Sequence, residues 1–441
     1  MSIYLLPLAA PAVLLIAAVA AASRPGRRPG LIPALAEASA FAALIVSIAS
    51  AAVLWLQSAG TSSVLGIAGI GLSTRLDVIS ATMLVLVSFV GWIVVRYSTS
   101  YLDGEARQGA FLGWMTTTLA CVLLLVQAGN LVLFVAAWVA TSLSLQRLLL
   151  FYSDRTQAIR AGRKKFATAR LGDAAMIGAA VIMYAGFGTA DIASILAAAG
   201  TGPAPSGTVW AAALLALAAA LKSAQFPSHG WLIEVMETPT PVSALLHAGV
   251  INGGGFLLIR FADVMVLEPG VLAVLVALGG FTALLGGLSM LAQPAVKTSL
   301  AWSTIGQMGF MIMQCGLALF PLALLHIVAH SLYKAHAFLA SGEAVDNVAA
   351  IRRPGPVAIP NGWAVARAFA LALVIYGVVG LVLGLESKTP QAVALGAILV
   401  FGVAYLLAQG LADAAPRVLT RRTAIYSVAA SVSYFALHNG A

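Results

Sequence analysis

Apolar stretches of about the length of a bilayer-crossing helix follow one another along the whole chain, with short polar breaks between them. About 20 mostly apolar residues cross a hydrocarbon core as a helix. Ile3 to Ala22 and Ile32 to Leu56 are the first two such runs. Others begin near Leu76, Phe111, Leu131, Leu171, Trp210, Val242, Val271, Leu300, Pro321, Val365 and Gln391, and a shorter one spans Thr423 to Leu437. The pattern predicts an all-α polytopic membrane protein with about 13–14 transmembrane helices. Gly and Ala dominate the runs, which suits helices that approach one another closely. A β-barrel would show short segments of alternating polarity, and none appears.

Three places interrupt helical continuity. Phe226-Pro227-Ser228-His229-Gly230 comes shortly after a lysine in a run of alanines and leucines, Thr238-Pro239-Thr240-Pro241 precedes the next span, and Arg353-Pro354-Gly355-Pro356 precedes the span at Val365. Unwound backbone at membrane depth is tolerated only where protein or a water-filled cavity surrounds it, and in transporters such breaks mark ion sites. The longest loop-like stretches, Tyr152 to Lys165, Gly188 to Ser206 and Glu343 to Asn361, are too short to fold as soluble domains. Asn252-Gly253-Gly254-Gly255, inside an apolar span, reads as close helix packing.

Composition agrees: 61% of the 441 residues are hydrophobic and 9% charged, with mean hydropathy +0.99. A soluble domain carries about 25% charged residues, so this chain needs lipid as a solvent. The first run has no charged stretch before it and is long enough to span, so it is expected to be a retained helix and not a signal peptide. Cys121 and Cys315 both fall in apolar runs, which leaves neither a disulfide framework nor a zinc motif.

The net charge of +9 changes the picture only through its placement. Counting spans from the N-terminus, one set of loops receives Arg24, Arg27, Arg28, Arg96, Arg107, the cluster Arg147, Arg155, Arg160, Arg163, Lys164 and Lys165, then Lys297, Arg352, Arg353, Arg417, Arg421 and Arg422. The opposite loops hold little beyond Arg75 and Lys388. This asymmetry predicts the N-terminus outside and the basic loops in the cytoplasm, and it makes the basic charge a topology signal with no bearing on nucleic acid.

Ionisable residues inside a membrane are expensive and mark function. Lys222 ends the apolar run Ala211 to Leu221, and either snorkels to the interface or binds a proton beside the Pro227 break. His326, His330 and Lys334 recur at i, i+4 and i+8, which places three titratable groups on one helix face and suggests a proton relay. Each histidine alone would read as a core residue bonded to a carbonyl. A metal on the His326/His330 pair would lack a Cys or Glu to complete its site, and His336 lies on another face. His247 sits one turn into the span after Pro241. Glu237 precedes that span and either serves the path or caps the helix. Arg170 and Asp173 form an i, i+3 pair, and Lys297 falls near a basic loop.

At these residues the chain resembles the antiporter-like membrane subunits of respiratory complex I and the Mrp cation/proton antiporters. The resemblance is carried by Leu221-Lys222-Ser223-Ala224-Gln225-Phe226-Pro227, Trp231-Leu232, Met236-Glu237-Thr238-Pro239-Thr240-Pro241-Val242-Ser243-Ala244-Leu245-Leu246-His247-Ala248, Ser303-Thr304-Ile305-Gly306-Gln307-Met308-Gly309, His326 through His330 to Lys334, Phe338-Leu339-Ala340-Ser341-Gly342 and Arg170-Leu171-Gly172-Asp173. It implies two inverted five-helix repeats with a broken helix in each, divided as N-terminal helices at 1–110, a first repeat at 111–265, a second at 266–411 and a C-terminal helix at 412–441. It also implies that Lys222, His247, His326 and His330 line a hydrated proton path, with Lys334, Asp173 and Glu237 on it and Arg170 and Lys297 in support.

Two departures stand out. The family's glutamate after a tryptophan is replaced here by Val139 after Trp138, which leaves Asp173 to partner Lys222. The family's second broken-helix lysine or glutamate has no match beyond Arg367. With Ser142 to Tyr152 and Arg163-Lys164-Lys165-Phe166, these departures resemble the membrane subunits of Dab-type inorganic-carbon pumps. That resemblance implies a cytoplasmic partner, DabA, similar to a zinc β-carbonic anhydrase. The zinc and the catalysis would belong to the partner, this chain would hold no cofactor, and the complex would sit in the cell inner membrane. The basic stretch Arg147 to Lys165 is then either a docking surface or an ordinary positive-inside loop. The alternatives are a complex I-type or Mrp-type subunit and a non-conducting anchor for a partner.

Overall fold

The computed structural model describes residues 3–67, 70–152, 155–235, 238–341 and 362–383, with scattered positions beyond. It divides into two units, Met1–Gly342 and Glu343–Ala441. In the first unit a span opens as a 3-10 helix, Ile3–Leu8, and continues as α1, Ala9–Ala22. There follow α2, Ile32–Gln57; α3, Val78–Tyr101; α4, Gln108–Val126; α5, Leu131–Leu149; α6, Thr156–Phe187; and α7, Ile192–Thr201. Next come α8, Thr208–Lys222; α9, Gly230–Glu234; α10, Thr240–Ala248; α11, Gly253–Arg260; α12, Ala262–Met265; α13, Pro269–Leu291; α14, Val296–Gly316; and α15, Phe320–Ala340. The second unit contributes α16, Gly362–Leu383, whose Ala368 and Ala372 pack with Val400, Val403, Ala404 and Leu407.

Among the described residues ten helices are long and apolar enough to span a membrane, α10 and α11 counting as one. The larger expected number has three sources. The 21-residue α14 carries polar positions along its length, α8 is short because it breaks at Lys222, and the runs expected from Gln391 and Thr423 fall largely outside the described residues. Large apolar side chains such as Ile16, Val19, Trp55 and Leu284 point outwards. That is stable only against lipid, since a soluble protein of this size does not expose so much contiguous apolar surface.

Local chemistry sets the helix ends. The Asp77 carboxylate accepts from the Ser80 backbone N–H at 2.8 Å, and the Ser80 hydroxyl accepts from the Asp77 backbone N–H at 3.3 Å, which closes a capping box on α3. The side chains of Asn130 and Asp191 cap α5 and α7, each accepting from a backbone N–H of the first turn. Between α2 and α3 the chain forms two small antiparallel ladders: β1, Gly60–Thr61, with β4, Arg75–Leu76, and β2, Leu65–Ile67, with β3, Ile70–Leu72. The α13/α14 contact is made by glycines. A methyl added at Gly279, Gly286 or Gly309 would strike backbone of the facing helix, so only a hydrogen fits there.

Three expectations need correcting. Tyr152 to Lys165 reads in the sequence as a loop, but α6 begins at Thr156 and carries most of that basic cluster on a helix of 32 residues. Gly188 to Ser206 contains the ten-residue α7. The span at Val242 is interrupted at Gly249–Asn252, where a 3-10 turn separates α10 from α11. The breaks at Phe226–Gly230 and Thr238–Pro241 stand where the sequence places them, and the Phe226–Pro227 peptide is cis. The break at Arg353–Pro356 lies outside the described residues. The expected second repeat, 266–411, spans the boundary between these two units.

Candidate functional site

α5, α6, α8, α9, α10 and the 3-10 turn at Val250–Asn252 surround a cavity of about 30 Å³ beside the end of α8. A water needs roughly 10–15 Å³ on this measure, so about two fit. Lys222 is on its wall because α8 stops there and the chain turns away toward Pro227. The Lys222 nitrogen lies 4.3 Å from the ring centroid of Trp138 on α5, where its ammonium form would rest against an aromatic face. Gly253 abuts the Lys222 stem, and Gly254 packs directly on Ser223 and the Ala219 backbone, so the Asn252–Gly255 run packs closely as expected.

Asp173 lines the same cavity from α6. Its carboxylate touches the Arg170 guanidinium at 2.6 Å, and the Trp138 indole N–H reaches it too. The i, i+3 pair is therefore real, with its Asp173 end on the cavity wall. Lys222 and Asp173 face each other across the void without forming a direct ion pair. Lys165, which in the sequence is one of a run of basic residues, is buried here. It donates to the Ser142 carbonyl at 2.8 Å and approaches the Ser142 hydroxyl at 3.3 Å, while Arg170 donates to that hydroxyl at 3.2 Å. Its burial is legible in one respect: Ala158, Ala161, Gly162 and Lys165 recur at i, i+3, i+4 and i+7, and all four are buried.

Two hydrogen bonds, joined through the 251–252 backbone, tie the end of α8 beside this cavity to α15, which carries the histidines. The Ser223 hydroxyl donates to the Ile251 carbonyl at 2.9 Å. The neighbouring Asn252 amide donates to the Ser331 hydroxyl at 2.9 Å, next to His330 on α15. The 249–252 interruption supplies both contacts, because its backbone and Asn252 turn toward the facing helices. His326 and His330 have ring centroids 6.1 Å apart. His326 Nδ1 bonds Gln314 at 2.9 Å, whereas both His330 nitrogens are buried without a protein partner.

Lys334, completely buried, donates to the Leu300 carbonyl at 3.1 Å, and the Thr304 hydroxyl donates to the same carbonyl at 3.0 Å. His247 Nδ1 lies 3.0 Å from Thr304 Oγ1. The Thr304 hydroxyl has one proton to give, to Leu300 or to His247 Nδ1, and the tautomer of His247 follows that choice. Nε2 of His247 is buried with no protein partner. The His247 ring stacks on Phe338 at 4.3 Å.

The remaining candidates are placed apart. Lys297 stands in the first turn of α14, away from the cavity wall, and His336 is exposed on α15. Glu237 lies outside the described residues. The acid that the structure shows at that elbow is Glu234, which accepts from Lys164 and lies 3.9 Å from Arg160. Arg260 carries no motif that marks it in the sequence, yet it is fully buried, contacts Asp77 at 2.5 Å and donates to Ser80 and to the Val126 carbonyl. Among the described residues no three His, Cys, Asp or Glu side chains are grouped to hold a metal ion.

Residues 128–353 match a family described as NADH:quinone oxidoreductase/Mrp antiporter, TM, and residues 65–112 match one described as NADH-Ubiquinone oxidoreductase (complex I), chain 5 N-terminus. The chain is 47% identical over 270 residues to a probable inorganic carbon transporter subunit DabB of Hydrogenovibrio crunogenus, covering 61% of this chain and 52% of that one. It is 42% identical over 351 residues to a probable inorganic carbon transporter subunit DabB2 of Halothiobacillus neapolitanus, covering 78% and 64%. The chain thus spans between half and two thirds of the length of these relatives. The Mrp complex from Dietzia sp. DQ12-45-1b superposes with a TM-score of 0.68 at 24% identity, over 99% of this chain and 46% of that one, which is a likeness of fold.

Proposed function

We propose, from the premise that this chain belongs to the NADH:quinone oxidoreductase/Mrp antiporter family of membrane subunits, that it conducts protons for an inorganic-carbon accumulating complex. It is an antiporter-like transport subunit and not an enzyme in its own right. The observation that carries the conduction reading is the set of titratable groups inside the helix bundle: Lys222 and Asp173 on the wall of the cavity, and His247, His330 and Lys334 buried beyond the 249–252 interruption, with His326 beside His330.

The proposed cycle uses only these groups. A proton reaching Lys222 creates an ammonium that draws the Asp173 carboxylate away from Arg170. When Lys222 gives up its proton, Asp173 returns to Arg170, 2.6 Å away in the structure. The proton moves on through water toward His330 and His326, with the imidazole of His247 and the amine of Lys334 as further stations. Glu237 and Lys297 stand as candidate groups at the basic end.

The carbon part of the proposal is supported by the similarity to subunits named as inorganic carbon transporters. We assign the chain to the cell inner membrane with its N-terminus outside, following the basic-loop asymmetry. The partner is then a cytoplasmic DabA-like subunit related to zinc β-carbonic anhydrases, holding the zinc and driven toward one-way conversion of carbon dioxide to bicarbonate. Nucleic acid has no part in this reading.

The test is purification of the tagged chain from its native membrane in mild detergent, with mass spectrometry of what accompanies it. A large zinc-containing soluble protein in near-equal amount is expected. Quinone-reducing or Mrp-type subunits in its place would overturn the carbon assignment and leave the proton path standing. Full bicarbonate uptake by a Lys222→Ala complex would instead favour a non-conducting anchor.

A further inference from the structure

We infer that Lys165 is a second proton-binding residue of the Lys222 cavity, and that the two lysines share one ammonium charge, so that a proton taken up by one amine is released by the other. This rests on the proton-conducting reading and deepens it at the same site.

Lys165 is held on the packing stripe of α6 with Ala158, Ala161 and Gly162, only 6% exposed, and it lines the same 30 Å³ void as Lys222. Its nitrogen is anchored on the Ser142 carbonyl at 2.8 Å. A carbonyl accepts from a neutral amine as well as from an ammonium, though more weakly, so the anchor can persist after loss of the proton. A surface lysine that merely snorkels has no use for such an anchor.

The charged groups around it can be followed element by element. From α6 itself come Arg170 and Asp173, already in contact at 2.6 Å. α8 brings Lys222, and α5 brings only uncharged Trp138 and Ser142. α9 brings Trp231, together with Glu234, whose carboxylate is taken by Lys164 and faced by Arg160. Among the described residues, therefore, a single carboxylate, Asp173, serves three cations: Arg170 in direct contact, and the two lysines at longer range across the void. One negative charge cannot neutralise both lysine nitrogens as well as Arg170. Burial and mutual repulsion both disfavour charging them together, so one proton over two amines is the favoured state.

The exchange balances on its own. The Lys165 ammonium gives a proton to a water in the void and becomes an amine, and the water passes a proton to the Lys222 amine, which becomes an ammonium. Lys165 stands nine residues, about 13 Å, from the start of α6, and Asp173 lies about 12 Å further along the same helix. Lys165 is thus nearer the basic end of the bundle than Asp173, and it is the group through which Lys222 exchanges protons with that end.

The test uses the complex purified through a tag on this chain and reconstituted in liposomes, with a pH-sensitive dye reading proton entry under an imposed potassium diffusion potential across a pH series. Lys165→Gln keeps a donor for Ser142 but cannot titrate, and Lys165→Arg keeps both donor and fixed charge. Each is expected to slow proton flux on the order of 100-fold, the scale of losing one positioned proton-transfer group. Lys165→His is expected to conduct again, with its pH optimum moved to lower pH. Wild-type flux in the Gln or Arg variant, or an unshifted pH profile in a conducting His variant, overturns the inference while proton conduction stands. Flux unchanged by Lys222→Ala as well would overturn the conduction reading beneath it.

Discussion

Trp138 meets both titratable partners of the cavity: its ring face lies 4.3 Å from the Lys222 nitrogen and its indole N–H reaches Asp173. With Val139 where the resemblance implies a glutamate, Asp173 is the carboxylate left to answer a change of charge on Lys222. Asp173→Asn keeps size and packing but removes that charge. Bicarbonate uptake in cells carrying this variant should fall to the level of Lys222→Ala, and retained uptake would remove Asp173 from the path. Lys222, His326, His330 and Lys334 can be read from the sequence because each interrupts an apolar run, where a charge demands a reason. Lys165 cannot be found that way. In the stretch Arg163-Lys164-Lys165, neighbours of the same sign hide which one turns inward, and only the small-residue spacing on its helix separates it.

At the scale of elements, the end of the bundle opposite the basic cluster is fastened by a charged clamp. Arg260, the last residue of α11, reaches the Asp77 cap of α3 and the final carbonyl of α4, and Arg75 donates to the same Asp77 at 2.7 Å. Burial alone would raise the Asp77 carboxyl, but the adjacent Arg260 charge and the Arg260 and Ser80 hydrogen bonds outweigh it and hold the group well below the usual carboxylate range. A carboxyl depressed on folding stabilises the fold above its unfolded pKa, about 3.9, and loses that contribution as pH falls below it. Asp77→Asn leaves a buried guanidinium short of its partner, a change that costs about 3–5 kcal/mol. Thermal unfolding in detergent should show the variant melting well below wild type at neutral pH. The gap should persist to mildly acidic pH and close only below about pH 4.

The same scale shows where the sequence misleads. Helices bounded by Pro or by a capping residue are placed within a few positions, as at Ile32, Leu131 and Pro269. The interruption at Gly249–Asn252 has no proline to announce it, and a glycine run serves equally for packing and for bending, so the sequence offers no way to choose. The apolar pattern puts the start of α6 too late, at Leu171, because its first turns alternate basic and small residues and read as loop until they are seen packed against α5 and Glu234.

For the whole molecule, the basic asymmetry predicts which end faces the cytoplasm, and the structure makes this straightforward to measure. Both native cysteines, Cys121 and Cys315, are buried and give little background to a membrane-impermeant thiol reagent. A cysteine in place of exposed Ala106 should be protected in intact cells and react after the membrane is opened, whereas one in place of exposed Ser63 should react in intact cells. The reverse result would invert the orientation and with it the direction of the proposed proton path.

The length of α6 has a consequence for how such a chain could be driven or drive something else. At 1.5 Å per residue its 32 residues measure about 48 Å, against a hydrocarbon core of about 30 Å, so the helix either tilts strongly or stands clear of the lipid. The protruding portion and the portion bearing Lys165, Arg170 and Asp173 belong to one continuous rod. A small tilt imposed on the outer tip becomes a displacement of the cavity wall, with the α5 contact as fulcrum, and a movement of that wall returns to the tip enlarged.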